Sequence, residues 1–331
     1  MKYFAIILLL IAQSCQKPVK TENASSYIFT WVKDENDWNS DYIAVINSNP
    51  NDRGYGSLVS TLPVGYSDIN AHHSEHRFHE IKELFVNGFS GGRSFIVDLN
   101  EPEDPKLKKT FTNIREYTFP HSFERLPSGN VLATFQTVGQ GNNEVGGLVE
   151  ISPDGDFVRS SNASDPQVAE FIRPYSLAIL PEIDRVISTS ADMKQKDLSN
   201  VVQVWRLSDL SLIKTMTLKP GPRGNEHFDP AEPRILKDGK TVLISTFFCG
   251  LYKVKDIESN SPSIEWVYSF DFNDKYDCAI PVVNGDYWIQ AVGSKSAVVS
   301  LDVSDPEKPK KAHELKFKKG EWPHWIALEP S

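Results

Sequence analysis

Cysteine is scarce, with three copies in 331 residues, so a dense disulfide framework of the kind small secreted scaffolds rely on is excluded. Basic residues are outnumbered: 35 Lys and Arg stand against 44 Asp and Glu, for a formal charge of −9. No basic stripe exists to neutralise a phosphate backbone, which argues against nucleic acid as a partner. No apolar run approaches the roughly 20 residues a membrane-spanning helix requires. Helical periodicity is hard to find anywhere. There is no G-x-S-x-G element or recognisable triad. The glycine-rich stretch 139–147 lies between two strand-like runs and opens no helix, so it reads as a hairpin loop and not a phosphate cradle.

What is present begins with an apolar run from Phe4 to Ala12, followed by Gln13, Ser14 and Cys15. Its length is that of a signal-peptide core. The pattern of a short apolar run, a small residue and a cysteine predicts a lipoprotein-type signal over 1–15, with Cys15 lipidated. Residues 16–26 are polar and suit a flexible tether. The expected protein is exported and lipid-anchored to a membrane, facing the periplasm, with one folded domain over 27–331. About 300 residues suit a repeat architecture that adds small cores side by side.

Short runs rich in Val, Ile, Phe, Tyr and Thr recur between Gly, Asn, Asp and Pro turns, which predicts an all-β chain. SFIVDLNEPEDPKL from Ser94, GLVEISPDGDF from Gly147, VQVWRLSDLSL from Val202 and AVVSLDVSDPEKPK from Ala297 repeat at about fifty residues, the spacing of four-stranded propeller blades. A second alignment marks the innermost hairpin of each blade: PHSFERLPSGNVLATF from Pro120, PYSLAILPEIDRVIST from Pro174, AEPRILKDGKTVLIST from Ala231 and YDCAIPVVNGDYWIQA from Tyr276, with AHHSEHRFHE from Ala71 in the same frame. The prediction is a β-propeller of six blades, or seven if residues 190–200 hide an irregular one. WPHWIALEPS from Trp322 would supply the innermost strand missing before YIFTWVK at Tyr27, closing the ring in one blade.

In a propeller the start of each innermost strand lines the channel. That phase collects His73, His121, Tyr175, Asp277 and His324, with Ala231 or Glu232 in the fifth blade and His72 adjacent. Imidazoles converging from rigid strands suit copper, zinc or iron. The expected ligands are His72, His73, His121 and His324, with Asp277, Tyr175 and Glu232 as proton-handling or supporting groups. His76 and His79 rank second, His227 sits in a loop and His313 on an outer strand. Cys278, one residue after Asp277, points by alternation into blade packing and reads as a core thiol, although one bridge to Cys249 is open.

The segments AHHSEH, PHSFERLPSGNVLATF followed by GGLVEIS, VQVWRLSDLSLIKTMTL and PGPRGNEHFDPAEPRILKDGKTVLISTFFCGLYKV resemble the selenium-binding protein and methanethiol oxidase family. The resemblance spans roughly residues 66–255 and implies a copper-dependent oxidase converting small thiols such as methanethiol to an aldehyde, sulfide and hydrogen peroxide. It implies copper ligands at His72, His73 and His121, and by repeat position at His324. The family's cysteine cluster after the paired histidines is replaced here by SEHRFHE, so selenium binding is not implied. The competing reading is a non-catalytic propeller that binds a ligand or protein partner at its channel mouth. A third is a metal-carrying lipoprotein without turnover.

Overall fold

The computed structural model describes residues 27–328 apart from 37, 68, 78, 80, 81, 142, 169–171, 195, 196 and 272–276. The signal, Cys15 and the tether lie outside the described residues. Within them, six antiparallel sheets follow one another along the chain as the blades of a propeller. The first blade holds three strands (Tyr27–Val32, Tyr42–Asn47, Leu58–Pro63), the third holds five because the short Asn113–Ile114 is added, and the others hold four. No helix of the described residues is long and apolar enough to cross a membrane.

The second to fifth blades are covered on both faces by their neighbours, which explains why their inner strands read as continuous apolar runs. In Arg93–Asp98 the side chains alternate between two cores. Phe95 and Val97 pack with Ile43 and Val45 of the first blade, while Ile96 packs with Phe123 and Phe135 of the third. Val204 and Trp205 divide in the same way between the fifth and third blades. Apolar clusters of this kind join each successive pair from the first blade to the sixth. Among the described residues, none straddles the sixth blade and the first.

Among the described residues, the closing strand expected from Trp322 onward is not formed as a ladder with Tyr27–Val32. Pro323 has no N–H to donate to such a ladder. The segment instead lies on the sixth blade: the Ile280 N–H donates to the His324 carbonyl at 3.1 Å. Trp322 covers Gly293, where a Cβ would come within 2.0 Å of the indole Nε1. The two remaining cysteines also differ from the core-thiol expectation. Cys278 does point into blade packing, but it meets Cys249 there, and the two form a disulfide that ties the fifth blade to the sixth. The reason is local: Cys249 takes a left-handed backbone at φ 60°, which turns its side chain toward the segment opening the next blade and leaves the Cα atoms 5.1 Å apart.

Candidate metal centre

The innermost strands of the second, third and fourth blades (Ala71–Ser74, Tyr117–Arg125, Pro174–Leu180) share one irregularity. Ala71 faces Gly88 and Ser74 faces Val86, leaving His72 and His73 opposite Asn87 alone. His121 and Ser122 stand likewise opposite Thr134, and Tyr175 and Ser176 opposite Thr189. In each case the facing side chain accepts the N–H of the second residue: Asn87 Oδ1 from His73 at 2.6 Å, Thr134 Oγ1 from Ser122 at 3.0 Å, Thr189 Oγ1 from Ser176 at 3.1 Å. Two residues against one is a β-bulge, which re-aims side chains at a sheet's end. The bulge corrects the expected register by one residue. His72, His121 and Tyr175 share the first place, while His73 matches Ser122 and Ser176.

Two adjacent bulges bring three imidazoles together, and the ligating nitrogens of His72, His73 and His121 all lie within 4.8 Å of one another. His121 Nδ1 is 2.7 Å from the Tyr175 carbonyl oxygen. A carbonyl only accepts, so Nδ1 carries the hydrogen and Nε2 keeps the free lone pair. That Nε2 lies 3.1 Å from Nε2 of His72. Two imidazole nitrogens at this separation need a bridge between them: either the hydrogen of a neutral His72 carried on Nε2 and donated to His121, or a metal ion that takes both lone pairs. Nitrogens bonded at about 2.0 Å to a tetrahedral metal stand about 3.3 Å apart, so the pair fits an ion. His73 has the Ser122 hydroxyl at 3.3 Å from Nδ1 and the Tyr175 hydroxyl at 3.4 Å from Nε2.

Burial keeps these rings neutral and therefore able to ligate. It lowers His73 and His121 well below the ordinary imidazole range, assisted by neighbouring histidines, and brings His72 down to about 3. A second group, His73 with His76 and Glu232, also places its ligating atoms within 4.8 Å. Its chemistry is different, because the Arg234 guanidinium stands 2.9 Å from Glu232 Oε2 and 3.3 Å from His76 Nδ1. A fixed cation already compensates that carboxylate, and Arg234 has only hydrogens to offer, so His76 accepts at Nδ1 and carries its own hydrogen on Nε2. The first group suits a cation and the second does not.

No known family's sequence profile matches the chain. Methanethiol oxidase of Hyphomicrobium sp is 31% identical to it over 137 residues, which is 38% of this chain and 30% of that protein. The match therefore spans under a third of the relative's length. A hypothetical selenium-binding protein from Sulfolobus tokodaii has a similar structure, with a TM-score of 0.68 and 15% identity, covering 88% of this chain and 74% of its own. The Cps50 (Swd1) β-propeller domain of Myceliophteria thermophila gives a TM-score of 0.60 at 10% identity, covering 89% and 84%. At these identities the structural likenesses establish the propeller fold alone.

The other residues singled out by sequence fall in distinct places. His324 is exposed at the mouth and outside the three-histidine group, yet near enough that its charge weighs on His72 and His73. Tyr175 packs against His121 with ring centroids 4.0 Å apart and the planes tilted by 39°. Glu232 is fully buried and accepts from Ser176 at 2.8 Å. Asp277 is not among the histidines' partners: its carboxylate accepts from the backbone and hydroxyl of Ser294 and holds the turn Gly293–Lys295. His313 lies exposed on an outer strand. His227 is buried in its loop against Phe228. Three participants carried no signal in the repeat alignment: Arg234, Ser122, and Trp325, whose ring stacks on His76 at 5.2 Å and meets His73 edgewise at 5.1 Å.

Proposed function

We propose that this chain is a copper-dependent oxidoreductase acting on a small thiol, and that it works outside the cytoplasm, held to a membrane through lipid on Cys15. The observation that carries the reading is the pair of Nε2 atoms of His72 and His121, 3.1 Å apart beside buried His73. The methanethiol oxidase named above supplies the substrate class. An all-nitrogen donor set from rigid strands favours copper, with zinc and iron as alternatives. A bound copper ion would accept electrons and polarise sulfur. The protein's own residues would do the rest. His72, His73 and His121 would hold the ion, the Tyr175 carbonyl fixes the His121 ring, and Trp325 shields the pocket from water.

Elemental analysis of the chain purified without chelator, beside a His73→Ala, His121→Ala double variant, tests this. Near-stoichiometric copper in the wild type that disappears in the variant, with methanethiol consumed only by the former, is the expected result. Wild-type protein that retains neither copper, zinc nor iron after reconstitution would overturn it.

A further inference from the structure

Next to the three histidines, two buried polar atoms have no hydrogen-bond partner: Nε2 of His76 and Oε1 of Glu232. Both residues are otherwise firmly held. Glu232 Oε2 accepts from Ser176 at 2.8 Å and from Arg234 at 2.9 Å, and His76 Nδ1 accepts from Arg234 at 3.3 Å. The nearest carboxylate oxygen to His76 Nε2 is Glu232 Oε2 at 3.5 Å, too far for a sound hydrogen bond. An unmade bond at a buried polar atom costs about 1–3 kcal/mol and calls for a partner, and a small ligand beside the three histidines would supply one to both atoms.

Arg234 dictates what that ligand must be. By occupying Nδ1 of His76 it leaves Nε2–H as a donor, and by occupying one oxygen of Glu232 it leaves the other as an acceptor. The complement is a single small group that both accepts and donates. Trp325, stacked on His76 with an interplanar angle of 18°, adds an apolar wall. We propose that His76, Glu232 and Trp325 form a binding subsite for a small neutral molecule carrying one X–H group and a short apolar tail. Its X–H hydrogen goes to Glu232 Oε1 and its lone pair receives the His76 Nε2 hydrogen. That X is sulfur rests on the oxidase reading above; the donor–acceptor demand does not.

The test compares two probes of similar size, ethanethiol and dimethyl sulfide, of which only the first has an S–H. Binding is followed by calorimetry and tryptophan fluorescence on the full chain, both metal-free and zinc-loaded so that no turnover intervenes. A site built around a donor and an acceptor rejects the analogue lacking the hydrogen, so ethanethiol is expected to bind at least tenfold more tightly. Glu232→Gln, whose oxygen keeps Arg234 and Ser176 while an N–H replaces the acceptor, should abolish the preference. Trp325→Ala should weaken both probes equally and leave their ratio unchanged; it also serves if the Gln variant fails to fold. Equal affinity for the two probes, no binding of either, or a preference that survives Glu232→Gln would each overturn the subsite. Failure to retain zinc would count against the metal reading alone, since the metal-free comparison still decides the subsite.

Discussion

His121 donates its Nδ1 hydrogen to the backbone carbonyl of Tyr175 across the boundary between the third and fourth blades, at 2.7 Å. The same carbonyl receives the Thr134 hydroxyl, also at 2.7 Å. The orientation of one imidazole is thus set by the backbone of one blade and a threonine from the next strand of its own.

Thr134→Val keeps the shape of this side chain and removes both of its hydrogen bonds. Outer partners of ligating histidines typically matter 10–100-fold in metal affinity. Copper affinity, measured by competition with a chelator, should fall by about that factor in Thr134→Val and recover in Thr134→Ser. Unchanged affinity in the valine variant would mean the threonine does not position His121.

The depressed histidines predict an acid-sensitive metal-free protein. In the unfolded chain an imidazole takes up its proton near pH 6.5. Folded His72 does so only at about 3, and burial holds His73 and His121 well below their ordinary value. As pH falls below about 6.5 the unfolded state binds protons that the folded state refuses, so stability present at neutral pH is lost on acidification. Each such histidine adds up to about 1.4 kcal/mol per pH unit to the slope. Urea unfolding at pH 8, 6.5 and 5 should show this slope, reduced by one proton's worth in His72→Asn. A slope identical in wild type and variant would refute the assignment.

Arg125 and Glu75 form a buried pair, with Nε and Nη2 each 2.9 Å from a carboxylate oxygen. Glu75 also accepts the Phe85 N–H at 3.0 Å and directly follows the strand carrying His72 and His73. Removing one member strands the other without a counter-charge, so Arg125→Ala is expected to cost about 3–5 kcal/mol in chemical denaturation. Lysine lacks the fork needed for both oxygens and should rescue only part. A loss under 1 kcal/mol would show that the pair is dispensable.

The Cys249–Cys278 bridge spans 29 residues. On chain-entropy grounds a loop of that length contributes about 3–4 kcal/mol. Unfolding midpoints with and without reductant, and in a double Cys→Ala variant, should differ accordingly. Coincident midpoints would mean the fifth and sixth blades hold together without it.

Much of this was legible before the structure. The fifty-residue spacing and the repeated hairpins carried the six blades, because a blade's turn chemistry is local. The histidines were legible as a group, and the register was legible in principle: setting Ala71 under Pro120 and Pro174 puts His72, not His73, beneath His121 and Tyr175. Simple period-two reasoning overlooks that, since a bulge inserts a residue without any composition of its own. The disulfide stood as an open possibility, while the roles of Arg234 and Trp325 were out of reach for another reason. Their roles depend on contacts with His73 and His76 from about 160 to 250 residues away, which no local pattern encodes.

The bulge has a consequence for how such a channel changes over time. Its backbone is closed by Asn87, Thr134 and Thr189 on the neighbouring strands, so the paired residues it displays contribute side chains and little else to the architecture. His72 with His73, His121 with Ser122 and Tyr175 with Ser176 therefore behave as three interchangeable sockets in a fixed frame. Two substitutions per socket rewrite the inner ring while the blades stay as they are, which makes the channel mouth a place where one fold can acquire, lose or exchange chemistry in few mutational steps.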